Sequence, residues 1–166
     1  MAAIRILGID PGLNRTGYGV IDVEGGKPRL VTYGAIKTSA KMSLAERLNH
    51  IFQSLNTIMM EFQPQQVAVE DLFYAENVKT AIVMGHARGA ILVSAMQQGA
   101  KIGEFSPREV KMSVVGNGAA AKEQVKFMVS RMLGVKEKIS PDDASDALAV
   151  ALCQWHRLEQ VKKGLA

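Results

Sequence analysis

Hydrophobic and polar positions in the first part of the chain fall into three short apolar-rich runs, IRILGI at 4–9, TGYGVIDV at 16–23 and RLVTYGAIKT at 29–38. The links between them, DPGLNR and EGGKP, are short and contain glycine, so the runs predict an antiparallel meander of three strands. The period then changes. Leu44, Leu48, Ile51, Leu55 and Ile58 recur at spacings of four and three, which predicts an amphipathic helix. Ser43 is its expected N-cap, and Glu46, three residues on, completes a capping box. After QPQQ, the run VAVE at 67–70 reads as a short buried strand, and a second helix is expected from Asn77 to Gln98. Gly85 and Gly89 lie four apart in that helix, where they cost helix propensity and so predict a close backbone approach on one face. KIGEF at 101–105 is the expected last strand. Helical pieces over about 107–115 and 120–133, joined by GNGA, follow it. A final helix runs from Pro141 to about Lys162, with Ser140 as N-cap and Pro141 at its first position. Strands first, then strands alternating with helices, predict an α/β domain with a mixed sheet.

A chain of 166 residues is long enough to bury a core without disulfides, and one domain spanning 1–166 is expected. Cys153 is the single cysteine, which rules out an internal disulfide and fits a reducing cytoplasm. No apolar run approaches a membrane span, and MAAIRILGID lacks a signal-peptide layout, so a cytoplasmic protein is expected. The net charge of +4 is unevenly spread: Phe105 to Lys138 holds seven basic residues against three acids, while the rest of the chain balances. A basic face of this kind attracts polyanions, nucleic acid foremost, although a solvated helix surface explains the charge equally well.

Two acids end apolar strands. Asp10 precedes Pro-Gly, where a turn opener accounts for it. Glu70 repeats the arrangement at the end of VAVE. Ligand sites in open α/β sheets lie outside the carboxyl ends of strands, and two carboxylates there repel one another unless a cation sits between them. SPDDASDALAVAL at 140–152 adds more acids. Asp142 and Asp143 sit where a helix N-terminus favours acids in any case. Asp146 lies beyond that first turn and opens an apolar run from Ala147 to Cys153. It shares a helix face with Asp143 and also with Asp142, and spacing leaves both pairs open. Carboxylates from three distant segments, without a histidine cluster or CxxC, suit a hard cation such as Mg²⁺ or Mn²⁺ and not zinc. With the basic segment, they point to two-metal phosphodiester hydrolysis.

The motifs GIDPGLNRTGYGV, VAVEDLFYAEN, GHARGAIL, EFSPREVKMSVVGNGAAAKEQV and DDASDALAVAL, in this order over nearly the whole chain, resemble the RuvC family of Holliday-junction resolvases within the ribonuclease H-like superfamily. The resemblance implies a mixed central sheet, three antiparallel strands then parallel ones, flanked by helices. It implies Asp10, Glu70, Asp143 and Asp146 as the catalytic acids and metal ligands, and it alone selects Asp143 over Asp142. Asp10 would bridge two Mg²⁺ ions, with Mn²⁺ able to substitute. Lys111 and Lys122 resemble the family's basic residues near the reacting phosphate, and Phe73, beside Tyr74, its residue for stacking on unpaired bases. The family further implies paired nicks across four-way DNA during recombination and repair, a homodimer, and work alongside the junction-binding and branch-migration proteins RuvA and RuvB. A C2 dimer supplies the two sites that paired nicks require, and the small residues Ala81, Gly85 and Gly89 are the expected contact. The alternative is that these glycines pack against the chain's own sheet.

Three other signals lead elsewhere. GNGAAA at 116–121 imitates a dinucleotide fingerprint, but it lacks a clear preceding strand. GIDPGLNRTGYG also resembles the first phosphate loop of actin-like and sugar-kinase ATPases, which need two such domains to enclose a nucleotide. Cys153 and His156, three apart, read as a buried thiol near a histidine more readily than as a nucleophile and its base.

Overall fold

The computed structural model describes residues 3–71 and 77–165. Strands β1 (Ile4–Asp10), β2 (Arg15–Glu24) and β3 (Lys27–Lys37) form the antiparallel meander. Helix α1 (Leu44–Phe62) leads to β4 (Gln66–Glu70), and α2 (Val78–Gln97) leads to β5 (Lys101–Phe105). Helices α3 (Pro107–Val115), α4 (Lys122–Leu133) and α5 (Asp142–Lys162) follow. The strand order is β3-β2-β1-β4-β5, with β1, β4 and β5 parallel. No helix among the described residues is long and apolar enough to cross a membrane.

Alternation along the strands sorts side chains into two cores. Leu7 and Ile9 of β1 and Val67 and Val69 of β4 pack with Ile51, Leu55 and Met59 of α1 and Ala87, Ile91 and Ala95 of α2. On the other face Ile6 and Ala68 pack with α3, α4 and the buried length of α5. The Ser43–Glu46 capping box starts α1 as its sequence predicts, and Asn77 caps α2 by accepting from Lys79 and Thr80.

Helix α5 lies unusually close to the sheet. A Cβ on Gly8 would stand 2.0 Å from the carbonyl oxygen of Ala147 and 2.7 Å from the amide nitrogen of Ala151. One on Gly17 would stand 2.0 Å from the Asp143 carbonyl oxygen, and one on Gly19 would meet Leu148 at 2.5 Å. Glycines on β1 and β2 and alanines on α5 thus let helix backbone approach strand backbone.

Two sequence expectations are corrected. Within the chain the close backbone approach is made by Gly8, Gly17 and Gly19, whereas a Cβ at Gly85 or Gly89 meets nothing within 4 Å. Those two glycines therefore do not pack on the chain's own sheet. Ser140 does not cap α5: Pro141 occupies the N-cap without a side-chain hydrogen bond, and the helix begins at Asp142. Asp142 and Asp143 place negative charge in the first turn, where it complements the helix dipole in place of a capping side chain.

Both outer strands are interrupted. The β2–β3 register shifts between Val20 and Ile21, leaving Val31 as an extra residue on β3. On β5, Arg157 of α5 donates to the Glu104 carbonyl at 3.3 Å and lies 3.8 Å over the Phe105 ring.

Replacing Gly8 by Ala drives a methyl group into backbone atoms that no rotamer change can move. The expected loss is about 1–3 kcal/mol, as for other overpacked cores, read as a lower urea midpoint at unchanged slope.

Candidate active site

Asp10 and Glu70 end neighbouring parallel strands, one step beyond the last paired rung, Ile9–Val69. Strand alternation turns both toward the α5 face. Gly8, two residues before Asp10, meets α5 there, and Gln66, four before Glu70, accepts from Gln154 of α5 at 2.9 Å. The first turns of α5 add Asp143 and Asp146 at the same end of the sheet, because Gly17, the ladder partner of Asp10, fixes the backbone of Asp143. Four acids from three distant segments are neighbours at the carboxyl edge of β1 and β4.

The electrostatics show how closely they are gathered. Burial and then the nearby Glu70, Asp146 and Asp143 push the Asp10 carboxyl up to about 8, and the Asp10 and Glu70 side chains share a hydrogen bond. Glu70 is raised mainly by burial, opposed by Lys111 and Lys122. Asp146 is also raised by burial, while its ion pair with Lys122 at 3.1 Å pulls the other way. Arg15 at the start of β2 stands 3.3 Å from Asp143. As the side chains stand, no three potential metal-binding residues among the described ones converge on a single point. Two of the acids are engaged with cations, Asp143 with Arg15 and Asp146 with Lys122.

Asp142 is turned elsewhere. Lys126 holds it at 2.9 Å and also pairs with Glu123 on α4. Geometry therefore separates two acids that spacing alone does not. The loop after Asp10 is pinned from both sides. Thr16 Oγ1 donates to the Gly12 carbonyl at 2.7 Å and Thr38 Oγ1 donates to the Leu13 carbonyl at 2.6 Å, while Arg47 of α1 bonds Thr38 and Asn14.

Lys122 opens α4, at the end of the helix where the dipole disfavours a cation. A placement that runs against the local rule, relieved by Asp146, marks a residue held for the site more than for the helix. Lys111 lies on α3, near enough to Glu70 to favour its ionised form. Phe73 and Tyr74 lie outside the described residues. The sequence reading did not single out Arg15. Nor did it find Arg88 of α2, which pairs with Asp71 at 3.3 Å, next to Glu70, and with Glu104 of β5. Both lie within the quoted motifs GIDPGLNRTGYGV and GHARGAIL, but their acidic partners are far off in sequence, so the motif alone gives them no role.

The rival signals lose their geometry. GNGAAA follows helix α3 and not a strand, with Gly116 ending that helix in the left-handed region. Cys153 is buried, and burial pushes its thiol up to about 11, too high for an attacking thiolate near neutral pH. His156 Nδ1 is engaged with Ser113 Oγ at 2.8 Å.

The family model "Crossover junction endodeoxyribonuclease RuvC" matches residues 6–154. A protein of that name from Syntrophomonas wolfei is 46% identical over 153 residues, covering 92% of this chain and 89% of its own. One from Heliobacterium modesticaldum is 48% identical over 153 residues, covering 92% and 94%. The structure of Thermus thermophilus RuvC in complex with a Holliday junction substrate superposes with a TM-score of 0.90 at 36% identity over 98% of both chains. The mixed sheet, with its antiparallel meander and parallel continuation, is the ribonuclease H-like arrangement that the resemblance implies. From the strand-end acids to the glycine bed beneath α5, the matched span contains every element that builds the site, and the chain belongs to the RuvC family of crossover junction endodeoxyribonucleases.

Proposed function

We propose that this protein is a structure-selective endonuclease that resolves Holliday junctions, cutting two opposed DNA strands in a metal-dependent reaction during recombination and repair. Family membership supports the reaction class. The observation that carries the assignment to residues is the gathering of Asp10, Glu70, Asp143 and Asp146 at one strand edge, with Lys111 and Lys122 beside them.

The donor set suits Mg²⁺. All four groups offer carboxylate oxygen without thiolate or imidazole, and among the described residues no cation pairs with the half-buried Asp10. In this reading Asp10, Glu70, Asp143 and Asp146 hold two Mg²⁺ ions, with Mn²⁺ able to replace them. Bound there, the metal supplies a lowered pKa for the attacking water and charge stabilisation for the leaving 3′ oxygen. Lys111 and Lys122 hold backbone phosphates and offset their charge. Phe73 stacks on bases left unpaired at the crossover.

One chain, folded as a single nuclease domain, carries one set of acids, so paired nicks call for two copies related by a twofold axis. The surface that supports this is an exposed stripe along α2. Val78, Ile82, Gly85, Gly89, Val93 and Met96 recur at spacings of four and three, on a helix whose opposite side packs against the sheet. The glycines allow a second helix to come close. The protein acts in the cytoplasm, in concert with RuvA and RuvB.

Asp10→Asn, Glu70→Gln, Asp143→Asn and Asp146→Asn are each expected to lower cleavage of a synthetic four-way junction by at least about 10³-fold while leaving junction binding intact. Asp142→Asn should retain most activity, and a reversed outcome for Asp142 and Asp143 would refute the assignment. In metal-free buffer the Asp10 carboxyl is raised, so the folded state retains a proton that the unfolded chain releases above about 3.8. Its contribution to stability is full below that pH and is lost as pH rises through about 8. Asp10→Asn should therefore melt above wild type at pH 8–9, by roughly 2–8 °C for about 1–2 kcal/mol, with the gap closing toward pH 4. Ile82→Glu should give a monomer by analytical ultracentrifugation and abolish paired cutting, with little change in the melting of the fold.

A further inference from the structure

Arg15 holds a position that no part of the proposed reaction uses. Its guanidinium reaches Asp143 Oδ2 through Nη1 at 3.3 Å, with both side chains substantially exposed. The contact is long and single, and among the described residues the other guanidinium N–H groups have no protein acceptor. Such a pair is weak in water and easily exchanged. The neighbouring Asp142–Lys126 pair differs: its lysine is 16% exposed and held by a second acid, Glu123.

The β-ladder adds a second observation. Arg15 stands directly opposite Lys37 in the β2–β3 register, so both side chains leave the same face. Like charges directly opposite across a ladder are destabilising. Asp143 offsets that repulsion on one side. An approaching polyanion would offset it better, and Arg47, bonded to Asn14 beside this ladder end, extends the positive rim. Lys111 and Lys122 approach the acids from α3 and α4, whereas Arg15 approaches from β2, with Lys37 of β3 opposite it in the ladder. The acid cluster is thus bordered by cations on two flanks.

We propose that Arg15 is an exchangeable counter-ion of Asp143, released to a phosphate of the bound DNA strand when Asp143 takes up a divalent cation. Metal loading and junction binding then favour each other through one side chain. Without DNA, a cation approaching Asp143 must displace Arg15. With DNA present the guanidinium has a better partner, so the displacement costs less, and linkage makes the benefit reciprocal. The proposal rests on the metal-dependent nuclease reading and adds to it a positioning residue that makes the empty site bind metal less readily than the DNA-bound site.

The test is calorimetric titration of Ca²⁺, a probe that uses the same oxygen ligands, into wild-type protein, Arg15→Gln and Arg15→Lys. Each is measured alone and with saturating four-way junction whose strands are checked for integrity on a gel. Without DNA, Arg15→Gln should bind Ca²⁺ roughly two- to fivefold more tightly than wild type, the range expected for releasing an exposed ion pair. The gain in Ca²⁺ affinity on adding junction should shrink by the same factor, and Arg15→Lys should restore it. Thermal melts of the three proteins show whether the fold is unchanged. A junction-induced gain equal in wild type and Arg15→Gln would overturn the proposal. A wild-type protein that binds no divalent cation, with or without junction, would remove the nuclease reading beneath it as well.

Discussion

The contact between α5 and the first two strands governs the rest of the structure. Helices normally rest on a sheet through side chains, which leaves the helix axis free to shift as those side chains repack. Here Gly8, Gly17 and Gly19 remove that cushion, and backbone atoms of Ala147, Ala151 and Asp143 take its place. The position of Asp143 relative to Asp10 is then set by one backbone-to-backbone packing contact, Asp143 on Gly17, and one hydrogen-bonded ladder, in which Gly17 is the partner of Asp10. Sub-ångström placement of catalytic groups depends on support of this kind, since flexible side chains in the supporting layer would blur it.

That rigidity is set against strong repulsion. Asp10 is raised to about 8 because burial and three neighbouring acids all oppose its ionisation. The fold tolerates the cluster because its outer members have basic neighbours, Asp143 with Arg15 and Asp146 with Lys122. Asp10, deepest in the cluster, has no such neighbour among the described residues, and its nearest charged neighbour is another acid, Glu70. A site that destabilises its own chain is a familiar companion of function, and the large apolar cores on both faces of the sheet supply the stability that it spends.

Much of this was legible in the sequence. Period two in the meander and period 3.6 in α1 marked elements that bury one side, while β4 and α5 showed as near-continuous apolar runs because the strand is covered on both faces and the helix is buried over most of its length. Asp10 and Glu70 stood out because a carboxylate ending a buried strand conflicts with its surroundings. The choice between Asp142 and Asp143 was not legible from spacing, since Lys126, which draws Asp142 away, belongs to another helix. The glycine bed beneath α5 was missed for a related reason. A glycine in a helix is conspicuous for its cost, whereas Gly8 and Gly17 sit in strands where GID and TGYG pass for ordinary turn-rich sequence. Nothing local says that α5 will lie on them. Arg15 and Arg88 escaped because their partners are more than ten positions away in sequence.

The treatment of the sheet's two borders has a consequence for how this molecule can meet others. A plain outer strand offers a ladder of free amides and carbonyls that any extended peptide can join. On β3 the extra residue at Val31 breaks that ladder's rhythm, and on β5 Arg157 covers the Glu104 carbonyl while lying across Phe105. Both features make strand addition less favourable at these borders. The broad surfaces left for a docking protein are those of helices and loops, where specificity is written in side chains more than in main-chain pairing.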